Sequence, residues 1–201
     1  MRRKLVKVKN NLLLILALLI WISITSVFAQ DSDRPAKSQY TKDEQTVANI
    51  EQLAISGVAT AQYQLGELYE YGRVVDPSDA AAIAWYKKAS VQGLGDAQYK
   101  LGVMYDNGWG VRSNNAEAVK WYRSAAEQGH SLAQHDLAFM YFQGAGVSKS
   151  STQAYKWLSI ALASGNSLMK KHLELVAEEL TEAEIELAEN LALDWLGRSN
   201  K

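Results

Sequence analysis

Apolar and small side chains return every fourth residue in short runs along this chain, and the runs themselves return every 36 residues. Ala61, Leu65 and Tyr69 open the pattern, Ala97, Leu101 and Tyr105 repeat it, and Ala133, Leu137 and Tyr141 repeat it again. Four-residue spacing sets each trio along one helical face, which defines a helix A in every unit. A second run follows in each unit, carried by Ala82, Trp85 and Ala89, then Ala118, Trp121 and Ala125, then Ala154, Trp157 and Ala161. This is helix B. Ser78, Asn114 and Ser150 stand at its start as N-caps. Glu117 and Gln153, three residues on, complete capping boxes in the second and third copies, whereas Ala81 leaves the first with a cap only. Gly93, Gly129 and Gly165 stop it. Tryptophan at this place in helix B is expected to fill the space between helix pairs, so that truncating a buried Trp121 to alanine costs on the order of 3 to 5 kcal/mol.

Glycine marks two further places in the unit. Gly66 and Gly102, with Ala138 as the third equivalent, lie inside helix A, where a glycine costs about 1 kcal/mol against alanine. Close approach of the paired helix is the expected offset. The turn between the helices holds Gly72, then Gly108-Trp109-Gly110, then Gly144-Ala145-Gly146. These loops lack the spacing and the following Lys-Ser/Thr of a nucleotide-binding loop, and read instead as helix ends that need positive φ.

A fixed period of this length is the mark of a solenoid, whose units stack because none can bury its apolar face alone. The units run 61–96, 97–132 and 133–168. Ahead of them, residues 41–57 form an N-terminal cap helix, with Thr41 and Glu44 at capping-box spacing and Val47, Ile50 and Ala54 on one face. Residues 169–197 form the C-terminal capping helices. The last of these starts at Thr181 with Glu184 closing its box, and Leu180 is placed to staple against Ile185. Its face of Ile185, Ala188, Leu191, Ala192 and Trp195 can close the open end of the stack.

Arg2, Arg3, Lys4, Lys7 and Lys9 precede an apolar run, LLLILALLIWISI over 12–24, and Val27-Phe28-Ala29 offers a small-residue exit before Gln30. That order reads as a secretory signal peptide over 1–29, cleaved at Ala29-Gln30, with a polar leader over 30–40 and a periplasmic or secreted mature chain. The alternative is an uncleaved inner-membrane anchor, since the 21 residues from Asn10 to Gln30 carry no charge and about 20 span a bilayer.

The formal charge of −1 conceals this division. Setting the five N-terminal cations aside leaves 16 basic against 22 acidic side chains, an acidic body with no basic stripe for a phosphate backbone. Nucleic acid is not an expected partner. There is no cysteine, so disulfides and thiolate metal sites are excluded. His130, His135 and His172 lack the spacing of a helical metal pair, and His130, just after Gly129, suits a capping role. No nucleophile motif of the Gly-x-Ser-x-Gly kind is present. The expectation is a chain with no catalytic residues, no cofactor and no metal.

The motif AQYKLGVMYDNGWGV over 97–111, followed by AVKWYRSAAEQG over 118–129, closely resembles the Sel1-like repeat, a relative of the tetratricopeptide repeat with a longer loop. The resemblance covers 61–168, and LTEAEI at 180–185 looks like the tail of bacterial members. Val74 replaces the second loop glycine in copy one, Thr152 replaces a helix B alanine, and Leu158 replaces the tyrosine after tryptophan in copy three. The resemblance implies an all-α fold, a right-handed superhelix of antiparallel helix pairs. It also implies an adaptor or scaffold between proteins, often in the bacterial envelope. Cysteine-rich secreted members have been linked to penicillin binding, but this chain lacks their cysteines.

With Ala61, Leu65 and Tyr69 facing inward, the helical wheel turns Tyr63, Glu67, Glu70 and Tyr71 outward. Copy two then presents Tyr99, Val103, Asp106 and Asn107, and copy three His135, Phe139, Phe142 and Gln143. In a superhelix the A helices line the concave side, which predicts one aromatic strip, acidic at its N-terminal end, for a segment of another envelope protein. The alternative is that Tyr63, Tyr99 and Phe139 serve only to pack neighbouring A helices. The other function classes are an envelope hydrolase or cell-wall-binding enzyme, and a membrane-anchored subunit of an envelope assembly.

Overall fold

The computed structural model describes residues 44–72, 76–165 and 169–199. Among these the chain is all-helical. The helices, in order, are α1 (Glu44–Ile55), α2 (Ala59–Tyr71), α3 (Asp79–Ser90), α4 (Gly95–Asn107), α5 (Asn115–Glu127), α6 (Ser131–Gln143), α7 (Ser151–Ala163), α8 (Met169–Ala177) and α9 (Glu182–Ser199). The helix pairs α2/α3, α4/α5 and α6/α7 are the three predicted units. Each B helix also packs on the next A helix, α1 packs on α2, and both α8 and α9 pack on α7. The result is an α/α solenoid. The expected signal peptide, the leader, Thr41 and Val74 lie outside the described residues.

Helix boundaries follow the punctuation read from the sequence. Ser78 accepts from the Ala81 N–H at 3.2 Å, Asn114 from Ala116 and Glu117 at 3.1 and 3.2 Å, and Ser150 from Gln153 at 3.3 Å. The reciprocal half of the expected capping boxes is not made. The N–H of Ser78, Asn114 and Ser150 donates instead to the carbonyl of Tyr69, Tyr105 and Tyr141 in the preceding A helix. One bond thus satisfies a cap donor and a helix-end acceptor together, and Glu117 is left to an exposed pairing with Lys120. At Thr181 the box is complete, with Glu184 accepting from the Thr181 N–H at 2.9 Å and Thr181 Oγ1 accepting from the Glu184 N–H at 3.3 Å. Leu180 and Ile185, the two residues expected to form a staple, are each partly buried against the core over the third unit.

The glycines inside helix A lie beneath a tyrosine ring. A Cβ on Gly66 would stand 2.6 Å from Cε1 of Tyr86, and one on Gly102 would enter the ring of Tyr122. Tyr86 and Tyr122 are buried, and their hydroxyls donate to Glu70 and Asp106 on the same A helix. In the third unit the same places hold Ala138, Leu158 and Phe142. Where the tyrosine becomes leucine, the glycine beneath it becomes alanine and the acid that received its hydroxyl becomes phenylalanine. The tryptophan one step earlier is less central than expected, because Trp85 and Trp121 are only partly buried and Trp157 alone is sealed.

Between units, Gln62, Gln98 and Gln134 each donate Nε2 to a carbonyl eight residues back, that of Ala54, Ser90 and Ala126, at 3.1 to 3.2 Å. Gln92 and Gln128 in turn donate to Oε1 of Gln62 and Gln98 at 2.8 and 2.7 Å. Each amide therefore ties the ends of two successive helices to a third. In the third unit Ser164 replaces the donor, and the buried Gln134 Oε1 has no partner. The second loop glycine adds a backbone contact: a Cβ on Gly110 would stand 2.5 Å from the carbonyl carbon of Asp79, at the start of the previous B helix. Gly146 meets Asn115 in the same way.

Burial makes Tyr122, rather than the tryptophan beside it, the central aromatic residue of helix B in the second unit. Tyr122→Ala is expected to lower the unfolding free energy by about 3 to 5 kcal/mol and Trp121→Ala by about half as much. Urea unfolding of the two variants checks this, and an equal or larger loss at Trp121 would contradict it.

Candidate partner-binding groove

Helices α4 and α6 come into direct contact, whereas no two of the B helices α3, α5 and α7 form an interface of that size. The A helices adjoin one another here and, through Lys100 and Glu70, at the junction before it. At the N-terminal end of the expected strip Tyr63 is partly buried. Its ring lies 5.5 Å from that of Tyr86, and its hydroxyl donates to Glu67 at 3.1 Å. Burial and then the Glu67 charge push the phenol upward.

Glu70 departs from the outward position expected of it. It is 8% exposed, accepts from the Tyr86 hydroxyl below and pairs with Lys100 Nζ of the next unit at 2.9 Å. A carboxylate can be buried here because both partners reach it, one within its unit and one across the junction. Lys100 also donates to the Tyr71 hydroxyl at 2.6 Å and lies 4.9 Å above its ring. Burial would pull the lysine down, but Glu70 and Tyr71 outweigh it and its pKa is raised. One of the two carboxylates at the N-terminal end, Glu70, is therefore paired by a residue of the chain itself.

In the second unit Tyr99 stacks on His130, with ring centroids 4.5 Å apart, and tilts against Tyr122 at 5.9 Å. Tyr63 and Tyr99 thus pack as well as line. Val103 is partly buried against the core, and Asn107 is exposed with Nδ2 on the Val103 carbonyl at 2.9 Å. Asp106 accepts from Tyr122 at 3.4 Å, and its pKa is raised by burial and then by Asp136. In the third unit His135 Nδ1 lies 2.8 Å from Asp136, and its ring is 5.1 Å from that of His172 on α8. Phe139 is partly buried, Phe142 lies under Lys149 at 5.2 Å, and Gln143 is exposed. His130 is the N-cap of α6, its Nδ1 accepting from the Ala133 N–H at 3.2 Å.

On the strip expected from the wheel Glu70 alone is buried, at 8% exposure. Lys100 and Asp136, one step around from Tyr99 and His135, belong to the strip and were not read from the sequence. The signal lay in their position, which runs Gln64, Lys100, Asp136 while the alanine, glutamine and leucine around it repeat. Among the described residues no group of three or more His, Cys, Asp or Glu stands together as a metal site would require. A concavity of about 370 Å³, lined by Glu127, Lys156, Trp157, Trp195 and Arg198, involves only B helices and the cap and shares no residue with the groove. No described helix is long and apolar enough to cross a membrane.

Three stacked helical hairpins of 36 residues, with an inner face built from one helix of each, define a repeat scaffold. The Sel1 repeat family model matches residues 59–94, 95–130 and 131–166, and the chain belongs to that family. It is similar to the crystal structure of c5321, a protective antigen present in uropathogenic Escherichia coli strains displaying an SLR fold. The identity is 31% and the TM-score 0.71 over 82% of this chain, which spans 35% of the length of that one. It is also similar to the crystal structure of a Sel1 repeat protein from Oxalobacter formigenes, at 36% identity and a TM-score of 0.60, covering 64% of this chain and 97% of that one. No curated protein matches the chain. Sel1 repeat proteins generally mediate protein–protein interaction, and the fold is typically a non-catalytic scaffold.

The histidine pair at the end of the groove makes stability depend on pH. Burial, and then the neighbouring His135, lower the His172 pKa to about 4. Its folded pKa lies below its unfolded value near 6.5, so the stability of the neutral form is complete above about pH 6.5 and is lost as pH falls toward 4. Melting temperature followed by circular dichroism between pH 7.5 and 4 is expected to fall less steeply for His172→Gln than for the unsubstituted chain. Parallel curves would contradict this assignment.

Proposed function

We propose that this chain is a non-catalytic adaptor of the bacterial envelope that holds a segment of another protein along its A-helix groove. The observation that carries this reading is the set of partly exposed side chains Tyr71, Val103 and Phe139, one from each of three successive A helices. Aromatic side chains of this kind contribute large contact area at small entropic cost, and repeat scaffolds bind through such inner surfaces. The envelope assignment is supported by the basic, apolar and small-residue order of the first 29 residues. The uncharged stretch from Asn10 to Gln30 favours one second reading, a membrane-anchored subunit of an envelope assembly with the same groove.

A photoreactive phenylalanine derivative placed at Val103, at Phe139 and at the exposed Lys120 of helix B tests the groove in living bacteria producing the full chain. The expected outcome is one shared crosslinked product at 103 and 139 and none at 120. A product formed from 120 alone would contradict it. The mass of the recovered chain separates the two envelope readings, since cleavage begins the mature protein at Gln30 and anchoring retains the N-terminus.

A further inference from the structure

The junctions between successive A helices can be compared position by position, because the repeat sets equivalent side chains at each. At the first junction Lys100 fills the space between Glu70 and Tyr71. One repeat on, Glu70 becomes Asp106, Tyr71 becomes Asn107 and Lys100 becomes Asp136. A second carboxylate stands where the cation was. Asp106 receives a long bond from the Tyr122 hydroxyl at 3.4 Å, and Asp136 has His135 Nδ1 at 2.8 Å. Neither forms an ion pair with a lysine or arginine of the described residues. The two carboxylates are linked through a pair of tilted rings, for Tyr122 donates to Asp106, Tyr99 packs on Tyr122, and the Tyr99 hydroxyl hydrogen-bonds Asp136. Val103 and Phe139 hold equivalent positions on α4 and α6, whereas at the first junction the corresponding pair is the charged Glu67 and Val103.

We infer that the α4/α6 junction is a docking site for a partner segment in which a lysine or arginine stands beside an aliphatic or aromatic residue. The cation takes the place that Lys100 fills one repeat earlier, between Asp106 and Asp136, and the apolar neighbour lies on Val103 and Phe139. This rests on the groove reading above and adds the chemistry of what enters it. Charge complementarity carries the assignment. Two partly buried carboxylates of like charge are weakly screened by salt, so a cation between them relieves their repulsion and gains two charge-assisted hydrogen bonds. Arginine suits the pair through its planar fork, and lysine through the precedent at the first junction.

The test is selection of phage-displayed random 12-residue peptides on the full chain, followed by affinity measurement with a synthetic copy of the enriched peptide. The enriched peptides are expected to carry Lys or Arg at a fixed spacing from Leu, Ile, Phe or Trp. Asp136→Lys restores the cation of the first junction. It is expected to weaken binding by about tenfold to a hundredfold, as replacing the peptide's basic residue with norleucine does. Asp136→Asn removes the charge while keeping the shape, and is expected to act in the same direction should the lysine disturb folding. Phe139→Ala is expected to weaken binding as well. Loss with Phe139→Ala but none with either Asp136 variant would leave the groove standing and overturn the basic-residue assignment. Indifference to all three, or no enrichment, would overturn both, and enriched peptides without a basic residue would overturn the assignment alone.

Discussion

A tyrosine ring lying on a glycine is the contact on which the first two helical hairpins depend. The glycine costs its helix about 1 kcal/mol, and the absence of its Cβ lets the ring of Tyr86 or Tyr122 settle against the backbone of the A helix. The ring's hydroxyl then meets Glu70 or Asp106 one turn on, so a buried phenol has its donor satisfied. The third hairpin solves the same problem with Ala138, Leu158 and Phe142, an apolar set filling the same space. Three copies within one chain vary these positions together, as side chains sharing one space must.

Because the hairpin is closed from below by the B helix, the upper face of each A helix is left to other uses. Stacking is handled at the edges, by the glutamine amides that tie successive helix ends and by loop glycines pressed on the previous B helix. The inner face is therefore free to differ from unit to unit. It does so at the position occupied by Gln64, Lys100 and Asp136, where the chain supplies its own cation at one junction and a second acid at the next. Fold and binding surface thus draw on different residues of the same helices, which is how a repeat keeps its architecture while its groove acquires a particular chemistry.

The period, the paired helices and the residues that start and stop them were legible in the sequence, because each rests on local spacing and local chemistry. Gly72 and Ser78 announce a helix end and a helix start wherever they occur. What escaped was the choice among neighbours that only packing decides. Trp121 and Tyr122 are adjacent and both large, and the one that lies on Gly102 is settled by a helix crossing that no spacing reports. Glu70 is polar and falls on the outward arc of a wheel, yet Tyr86 and Lys100, sixteen and thirty residues away, draw it under cover. Gln98 repeats in every unit, but its role needs the ends of two other helices in place.

Exchange of the whole contact between units tests the central claim most directly. Unfolding free energies would be measured in urea for Gly102→Ala alone and for Gly102→Ala combined with Asp106→Phe and Tyr122→Leu, which gives the second unit the third unit's set. Gly102→Ala alone is expected to lose about 1 to 3 kcal/mol by overpacking, and the triple variant to return to within about 1 kcal/mol of the unsubstituted chain. A harmless single substitution, or a triple variant no more stable than the single one, would show that the ring and the glycine do not hold the hairpin together.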